Sequence, residues 1–266
     1  SEKNFTQLQN LSFFVGVGFP FTRHADLSQT LVLLPPKPGN AEIETLFEFA
    51  ARMGNDTGVP AVGVEVRTSL DINPGLANYD VVAIANVKDV QASDLLSASS
   101  FEVQNDSVKV KAFSLFDRVL WLLQGDWGRE TKVAARVLDS TQQLQGFFSF
   151  VSPVDADRIV VLITAKVSEQ LPQLLNSLNR PLVSSKVHGD MALVDNNANV
   201  HSNRVGELIT SGDMPWHMEV RWFFGQHVIV MVIGLALAAF AGAAILFPLL
   251  RNRARNRLKT GSKNNE

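Results

Sequence analysis

The chain has 266 residues, no cysteine and a formal net charge of −2. The last 16 positions carry six of its 24 basic residues and one of its 26 acidic residues, so residues 1–250 have 18 basic against 25 acidic side chains. This acidic balance excludes an electrostatic footprint for DNA or RNA, and we expect no nucleic-acid partner.

Residues 1–29 precede the first predicted strand and form an entry segment. Residues 1–25 lack the basic start and apolar stretch of a signal peptide, so we expect either a removed signal or a longer natural chain. Gly16 and Gly18 form a G-x-G pattern here, but Pro20 stands where a dinucleotide-binding motif begins its helix. The glycines therefore predict a turn with unusual dihedral angles.

Strands and helices alternate along residues 30–212. The predicted strands are Thr30–Leu34, Ala61–Arg67, Tyr79–Val87, Ser107–Lys111, Phe147–Val151, Arg158–Thr164, Val187–Val194 and Arg204–Ile209. The predicted helices are Asn40–Asp56, a turn at Ser93–Ser97, Leu115–Leu123, Glu130–Gln143 and Ser168–Asn179. This order predicts an α/β domain in which helices flank a mixed, mostly parallel sheet, with the last two strands as an antiparallel edge.

Candidate catalytic and metal-binding residues are scattered. The histidines lie on separate elements, and none has the i, i+4 partner or nearby acid that would indicate a zinc-binding or catalytic pair: His24, His188, His201, His217 and His227. Asp26, Asp155 and Asp157 stand where turns explain them. We therefore expect no catalytic residue, no metal site and no cofactor, so the chain is predicted not to be an enzyme.

Residues 228–250 form a membrane-spanning helix in this interpretation. The 23 residues Val228–Leu250 carry no charge, and at 1.5 Å per residue they reach about 34 Å, enough to cross a hydrocarbon core of ~30 Å. Cations dominate the tail at 251–266, including Arg251, Arg253, Arg255 and Arg257. Basic residues beside a span stay in the cytoplasm and favour anionic lipid, so residues 1–227 are predicted to lie outside.

Residues 213–227 are predicted to form an amphipathic helix at the membrane interface, because Pro215 marks a helix start and aromatic residues follow. The interface residues are Trp216, Arg221, Trp222, Phe223 and Phe224. Two alternatives stay open for this helix: a plain aromatic anchor, or a docking helix for a partner.

Small residues recur within the span at Gly234, Ala238 and Gly242. A stripe of small side chains lets a second helix approach closely in lipid. The stripe either packs against a partner helix or follows by chance from a span rich in alanine and glycine.

Several motifs resemble the periplasmic BcsB family of bacterial cellulose synthase. Residues 18–30, GFPFTRHADLSQT, match a run of the form GFPF[ST]R-x-ADLS-x-T in that family. The resemblance continues at TGVPA (57–61), RVGE (204–207) and MPW (214–216), followed by the span and basic tail. In the 18–30 run, Arg23 and Asp26 either pair or are solvated.

The resemblance implies a flavodoxin-like fold and a non-catalytic role. Members alternate jelly-roll carbohydrate-binding domains with flavodoxin-like domains. Their anchor packs on the catalytic cellulose synthase subunit, which polymerises glucose from UDP-glucose under cyclic-di-GMP control. By this resemblance, the chain is the C-terminal portion, with the second flavodoxin-like domain (30–212) and the anchor. Its implied partners are the catalytic subunit, membrane lipid, nascent glucan and neighbouring copies of itself.

Two rival interpretations concern ligands. Trp121 and Trp127 flank a glycine and an aspartate and are either glycan contacts or contacts with the core or another subunit. Under the glycan alternative, the chain is a tethered periplasmic module that binds glycan or assembles with itself. A flavin site is disfavoured because Pro35, Pro36 and Pro38 remove amide donors from the loop where a flavin phosphate would bind.

Overall fold

The computed structural model describes residues 6–7, 10–111, 129–141, 144–206, 210–211, 215–226 and 228–263. Two compact units divide the chain, residues 1–112 with 128–213 and residues 113–127 with 214–266. The predicted helix at Leu115–Leu123 and the two tryptophans, Trp121 and Trp127, lie outside the described residues.

The elements of the first unit are, in chain order, β1 (Thr6–Gln7), α1 (Leu11–Val17), β2 (Thr30–Leu33), α2 (Asn40–Thr57), β3 (Glu65–Arg67), β4 (Asp80–Asn86), α3 (Val87–Gln91), β5 (Phe101–Gln104), β6 (Ser107–Val110), α4 (Arg129–Ser140), β7 (Gln145–Val151), β8 (Ile159–Ala165), α5 (Leu171–Ser177), α6 (Pro181–Ser184), β9 (Met191–Val194), β10 (Val200–Asn203) and β11 (Thr210–Ser211). Single 3-10 turns lie at Phe21–Arg23, Pro74–Leu76 and Ser168–Gln170. The second unit contains α7 (Trp216–Gln226) and α8 (Val228–Lys263).

Seven strands form the main sheet in the order β3-β2-β4-β8-β7-β9-β10. The first four are parallel to one another, β7 is antiparallel to both of its neighbours, and β10 is antiparallel to β9. Five strands therefore run in one direction. The prediction of a mixed, mostly parallel sheet with an antiparallel edge is confirmed.

Both faces of this sheet are covered by a hydrophobic layer. On one side Phe14 of α1, Phe49 of α2 and Leu174 of α5 pack against Val82 and Ile84 of β4. On the other side, the alternate residues of β4 join the β5–β6 hairpin and α4 in a second cluster that includes Val81, Ala83, Phe101 and Leu138. Successive residues of a strand face opposite sides, so a strand covered on both faces must be apolar throughout, as β4 and β8 nearly are.

The GFPF segment is part of this core. Gly18 ends α1 in the left-handed conformation (φ 67°), and its chain then returns Phe21 to the interior. The Phe21 ring packs edge-on at 5.8 Å from Phe14 and 5.6 Å from Phe49. The prediction of unusual dihedral angles is therefore confirmed at Gly18, but it is wrong at Gly16, which lies inside α1.

Arg23 does not pair with Asp26. Its guanidinium lies 3.8 Å from the carboxylate of buried Asp80, which also binds Arg158 at 3.0 Å. The Asp26 side chain instead accepts a hydrogen bond from the backbone N–H of Ser28, at 3.1 Å. Asp80 thus ties the segment of residues 18–30 to the starts of β4 and β8, a long-range contact that sequence spacing could not reveal.

Some predicted boundaries were wrong. The strand expected over Ala61–Arg67 is confined to β3, because the preceding backbone turns to let the N–H of Gly63 donate to the carbonyl of Asp26 at 2.8 Å. The last strand of the main sheet is β10. The strand predicted over Arg204–Ile209 is wrong at residues 204–206, where the Asp190 side chain accepts hydrogen bonds from the backbone N–H groups of Val205 and Gly206, and its remainder, residues 207–209, lies outside the described residues. The helix expected from Ser168 begins as a 3-10 turn and becomes α-helical only at Leu171.

Gly63 provides a test of this close approach. A Cβ added there would lie 2.7 Å from the carbonyl oxygen of Asp26, whereas one added at exposed Gly16 in α1 meets nothing within 4 Å. We expect Gly63→Ala to lower the free energy of unfolding by about 1–3 kcal/mol through overpacking. We expect Gly16→Ala to raise it by about 0.5–1 kcal/mol through lower chain entropy. Chemical denaturation checks both, and equal effects would contradict the packing argument.

Candidate functional site

The carboxyl edge of the sheet is where a fold of this topology places its ligands. β2 connects to β3 on one side, and the chain then crosses to β4 on the other side of β2. The strand order therefore switches between β2 and β4, and the crevice beyond their carboxyl ends is the expected ligand position.

Acidic side chains occupy this crevice. Glu42 of α2 is buried and accepts a hydrogen bond from the N–H of Gly39 at 3.0 Å, closing the N-terminus of that helix. Asn86, at the end of β4, donates to Asp89 at 2.8 Å and to Ser168 at 3.0 Å. Burial raises the pKa of the Asp89 carboxyl, and the nearby Glu42 raises it further.

Such an edge disfavours a phosphate group. A flavin or nucleotide phosphate is held by free N–H groups at a helix N-terminus. Here the carboxylate of Glu42 already accepts a hydrogen bond from the N–H of Gly39 at that terminus. The carboxyl of Asp89 is near enough for the charge of Glu42 to raise its pKa. This arrangement argues against a flavin at the position where the fold would hold one.

The side chain of Asp190 forms hydrogen bonds with the backbone that follows β10. Its carboxylate accepts hydrogen bonds from the N–H of Val205 at 2.8 Å and of Gly206 at 2.5 Å. These two residues belong to the RVGE motif, so a buried acid holds the described part of the motif, residues 204–206, in a loop. The sequence did not reveal this role, because the residue gave no signal beyond a lone aspartate after a glycine.

The second unit presents aromatic side chains on α7. Trp216 is 76% exposed, and Phe223 and Phe224 are exposed on the same helix, with their own rings 5.8 Å apart. Arg221 is also exposed, and Trp222 lies in the same helix. Exposed aromatic rings next to an apolar span are typical of the membrane interface.

Helix α8 contains one stretch that is apolar and long enough to cross a membrane by length and composition. It covers Ile229–Pro248 with a mean hydropathy of 2.7. The helix does not end with that stretch but continues to Lys263, so Arg251, Arg253, Arg255 and Arg257 extend the same helix. The predicted span thus lies within one longer element.

The stripe of small residues lies in this helix. A Cβ added at Gly234 or Gly242 would meet nothing within 4 Å, so both positions are open to an approaching helix. Ala238, between them, is exposed as well.

Metal-ligating side chains do not gather in the part of the chain that the structure describes. There, no group of three or more histidine, aspartate or glutamate side chains could hold a metal ion. Among the described residues, the acids at the ligand edge of the sheet therefore act as hydrogen-bonding and helix-capping groups.

Comparison with known proteins agrees with the sequence motifs. The family described as cellulose synthase BcsB, second FD domain, matches residues 4–163, which is more than half of the chain. The chain belongs to this family. The resemblance to this family is therefore confirmed, and the GFPF and TGVPA motifs lie within the matched residues.

Curated relatives match almost the whole chain. "Cellulose synthase 2" of Novacetimonas hansenii is 27% identical over 98% of this chain and 16% of its own length. Proteins named "Cyclic di-GMP-binding protein" from Salmonella typhi and Escherichia coli K12 are each 26% identical over 96% of this chain, covering 33% and 32% of their own lengths. The chain thus spans a third or less of these relatives.

Asp190 makes stability depend on pH. Burial raises the pKa of its carboxyl to about 6, against the lowering effect of the hydrogen bonds from Gly206 and Val205. The folded state binds a proton on the Asp190 carboxyl more tightly than the unfolded state does. The protonated carboxyl therefore makes its full contribution to stability below its pKa in the unfolded state, about 4. This contribution is lost as pH rises through about 6, at a cost of roughly 3 kcal/mol.

We expect Asp190→Asn to remove this dependence. Chemical denaturation of both proteins between pH 4 and 7.5 measures it, and the difference in unfolding free energy between them should change with pH in that window. Parallel curves would contradict a protonated Asp190 in the fold.

Proposed function

We propose that this chain is a non-catalytic, membrane-anchored part of a bacterial cellulose synthase. Its family and the names of its relatives support a cellulose synthase subunit. The candidate site adds no catalytic constellation within the described residues, and its ligand edge is filled by Glu42. The observation that carries the proposal is an exposed apolar helix attached to a domain of this family.

The proposed arrangement follows the chain. Residues 30–212 form the periplasmic domain with 1–29 as its entry segment, 213–227 the interfacial helix, 228–250 the span and 251–266 the cytoplasmic tail. Basic residues concentrate on the tail side of the span, which favours this orientation in the bacterial inner membrane. Upstream carbohydrate-binding domains fit the much greater length of the relatives.

Mechanistically, α7 and α8 hold the catalytic subunit. The open positions Gly234, Ala238 and Gly242 would let a helix of that partner pack closely, while Trp216 and its aromatic neighbours fix the depth of α7. This rigid packing keeps the partner's channel active as the polymer emerges beside the periplasmic domain.

Some relatives are named cyclic di-GMP-binding proteins. In our proposal this chain does not bind the dinucleotide, because Glu42 and Asp89 would repel its two phosphates at the ligand edge of the sheet. In our proposal the dinucleotide acts on the catalytic partner. The alternative function, a tethered glycan-binding or self-assembling module, would give Trp121 and Trp127 a role as contacts.

Deletion of the span tests the proposal. When each is fused to the same export signal peptide and co-expressed with the catalytic partner, the full chain should support glucan synthesis from UDP-glucose, and a chain lacking residues 228–250 should not. Incorporation of labelled glucose into insoluble glucan measures this. Equal synthesis with both chains would contradict the mechanism.

The stripe has its own test. We expect Ala238→Leu with Gly242→Leu to reduce recovery of the catalytic partner in detergent by tenfold or more, because the larger side chains block close approach. Ala239→Leu with Ala243→Leu is the matched control, since each position is rotated by about 100° from the stripe. If the stripe variant keeps its partner as the control does, the stripe is not the interface.

Orientation is testable because the chain lacks cysteine. Thr260→Cys should react with a membrane-impermeant maleimide only after the inner membrane is opened, whereas Ser28→Cys should react from the periplasmic side in spheroplasts. Labelling of residue 260 in intact spheroplasts would reverse the proposed topology.

A further inference from the structure

A trough runs along the exposed face of α2. It consists of two adjoining concavities of about 480 and 570 Å³ that share Glu48 and Ala51. One is lined by Asn40, Ile43, Glu44 and Phe47, and the other by Arg52, Asn55, Asp56, Asn176, Leu178 and Asn179. At 1.5 Å per residue, the helix from Asn40 to Asp56 gives the trough a length of about 24 Å.

Amide and carboxylate groups line one half of the trough in a directed chain. Arg52 donates to the side-chain oxygen of Asn179 at 2.9 Å, Asn179 donates to Asn176 at 3.3 Å, and Asn176 donates to one carboxylate oxygen of Glu48. The other oxygen of Glu48, Oε2, has no hydrogen-bond partner among the described residues. Burial raises the pKa of this carboxyl.

The unpaired oxygen has a chemical consequence. A shielded hydrogen-bond acceptor without a donor costs free energy. If the Glu48 carboxylate rotates towards the trough, a ligand O–H can donate to this oxygen and remove that cost. Asn176 and Asn179 are exposed, so their amides remain open to groups that both donate and accept hydrogen bonds. Hydroxyl groups are of this kind.

The other half of the trough offers an apolar platform. Phe47 is 67% exposed and Ile43, one turn before it on the same face, is 38% exposed. An exposed aromatic ring beside polar groups matches the two faces of a pyranose, whose C–H groups pack on rings while its hydroxyls form hydrogen bonds.

Charge narrows the ligand class further. The lining contains three carboxylates, Glu44, Glu48 and Asp56, against the single cation Arg52. This excess repels phosphates, nucleotides and anionic lipid headgroups. A neutral chain of sugars with hydroxyls along its edges carries no charge that these carboxylates would repel.

We propose that this trough binds a segment of neutral glucan, with Phe47 as the stacking platform and Glu48, Asn176 and Asn179 as hydroxyl partners. The inference rests on the proposed function, because the catalytic partner would deliver such a polymer next to this domain. Open at the surface, the trough would guide the polymer weakly rather than retain it.

The test is a calorimetric titration of the full-length chain, held in nanodiscs, with cellohexaose. We expect saturable binding that weakens at least tenfold in Phe47→Ala and in Asn176→Ala. Leu182→Ala is the control, because this side chain is 78% exposed on α6 and does not line the trough. Circular dichroism verifies that each variant is folded.

No binding of cellohexaose to the unmodified chain, or equal binding by Phe47→Ala, would overturn the proposal. Loss of the catalytic partner from Phe47→Ala without any cellohexaose binding would make the trough a protein interface and would also overturn it. Normal co-purification with the catalytic partner together with lost cellohexaose binding supports it. The span deletion described above tests the anchoring role separately, so the two failures are distinguishable.

Discussion

The fold depends on keeping β4 and β8 covered on both faces. Their adjacent residues send side chains into two separate hydrophobic clusters, so helices must lie on both sides of the sheet. At the amino ends of these strands, Asp80 forms ion pairs with Arg158 and Arg23. Arg158 also donates a hydrogen bond to the side chain of Gln29 at 2.7 Å. Burial raises the pKa of Asp80 while both arginines oppose that rise, so the ion pairs compensate for a charge placed inside the domain.

In this sheet, the position where folds of this topology bind a phosphate is already occupied. Helix α2 begins where a phosphate would bind, but its N-terminus is satisfied by Glu42 from its own first turn. Under the proposed function, the domain serves as a folded body, and the chain presents exposed surfaces to other molecules on α7, on α8 and in the trough on α2. Fold and site are separable properties of a chain.

Local sequence patterns predicted most helices and strands, whereas side-chain partners and surface concavities depend on contacts between residues far apart in the sequence. The continuous apolar run ending at Asn86 and the helix beginning at Asn40 were recognisable because period and caps are local signals. Helix α1 was missed because Gly16 obscures a seven-residue apolar segment. The partner of Arg23 and the clamp at Asp190 join positions far apart in sequence, and no spacing rule encodes them. The trough on α2 likewise needed the packed α5 beside it.

Helix α8 continues for 36 residues, or about 54 Å, which exceeds the ~30 Å thickness of a hydrocarbon core. The apolar stretch and the basic stretch belong to one continuous helix, so a tilt of the basic end would be passed on to the apolar end. Pro248 lies between them and has no backbone N–H, so one intrahelical hydrogen bond is missing there. That proline, three residues before the first arginine, is the position at which the helix would bend.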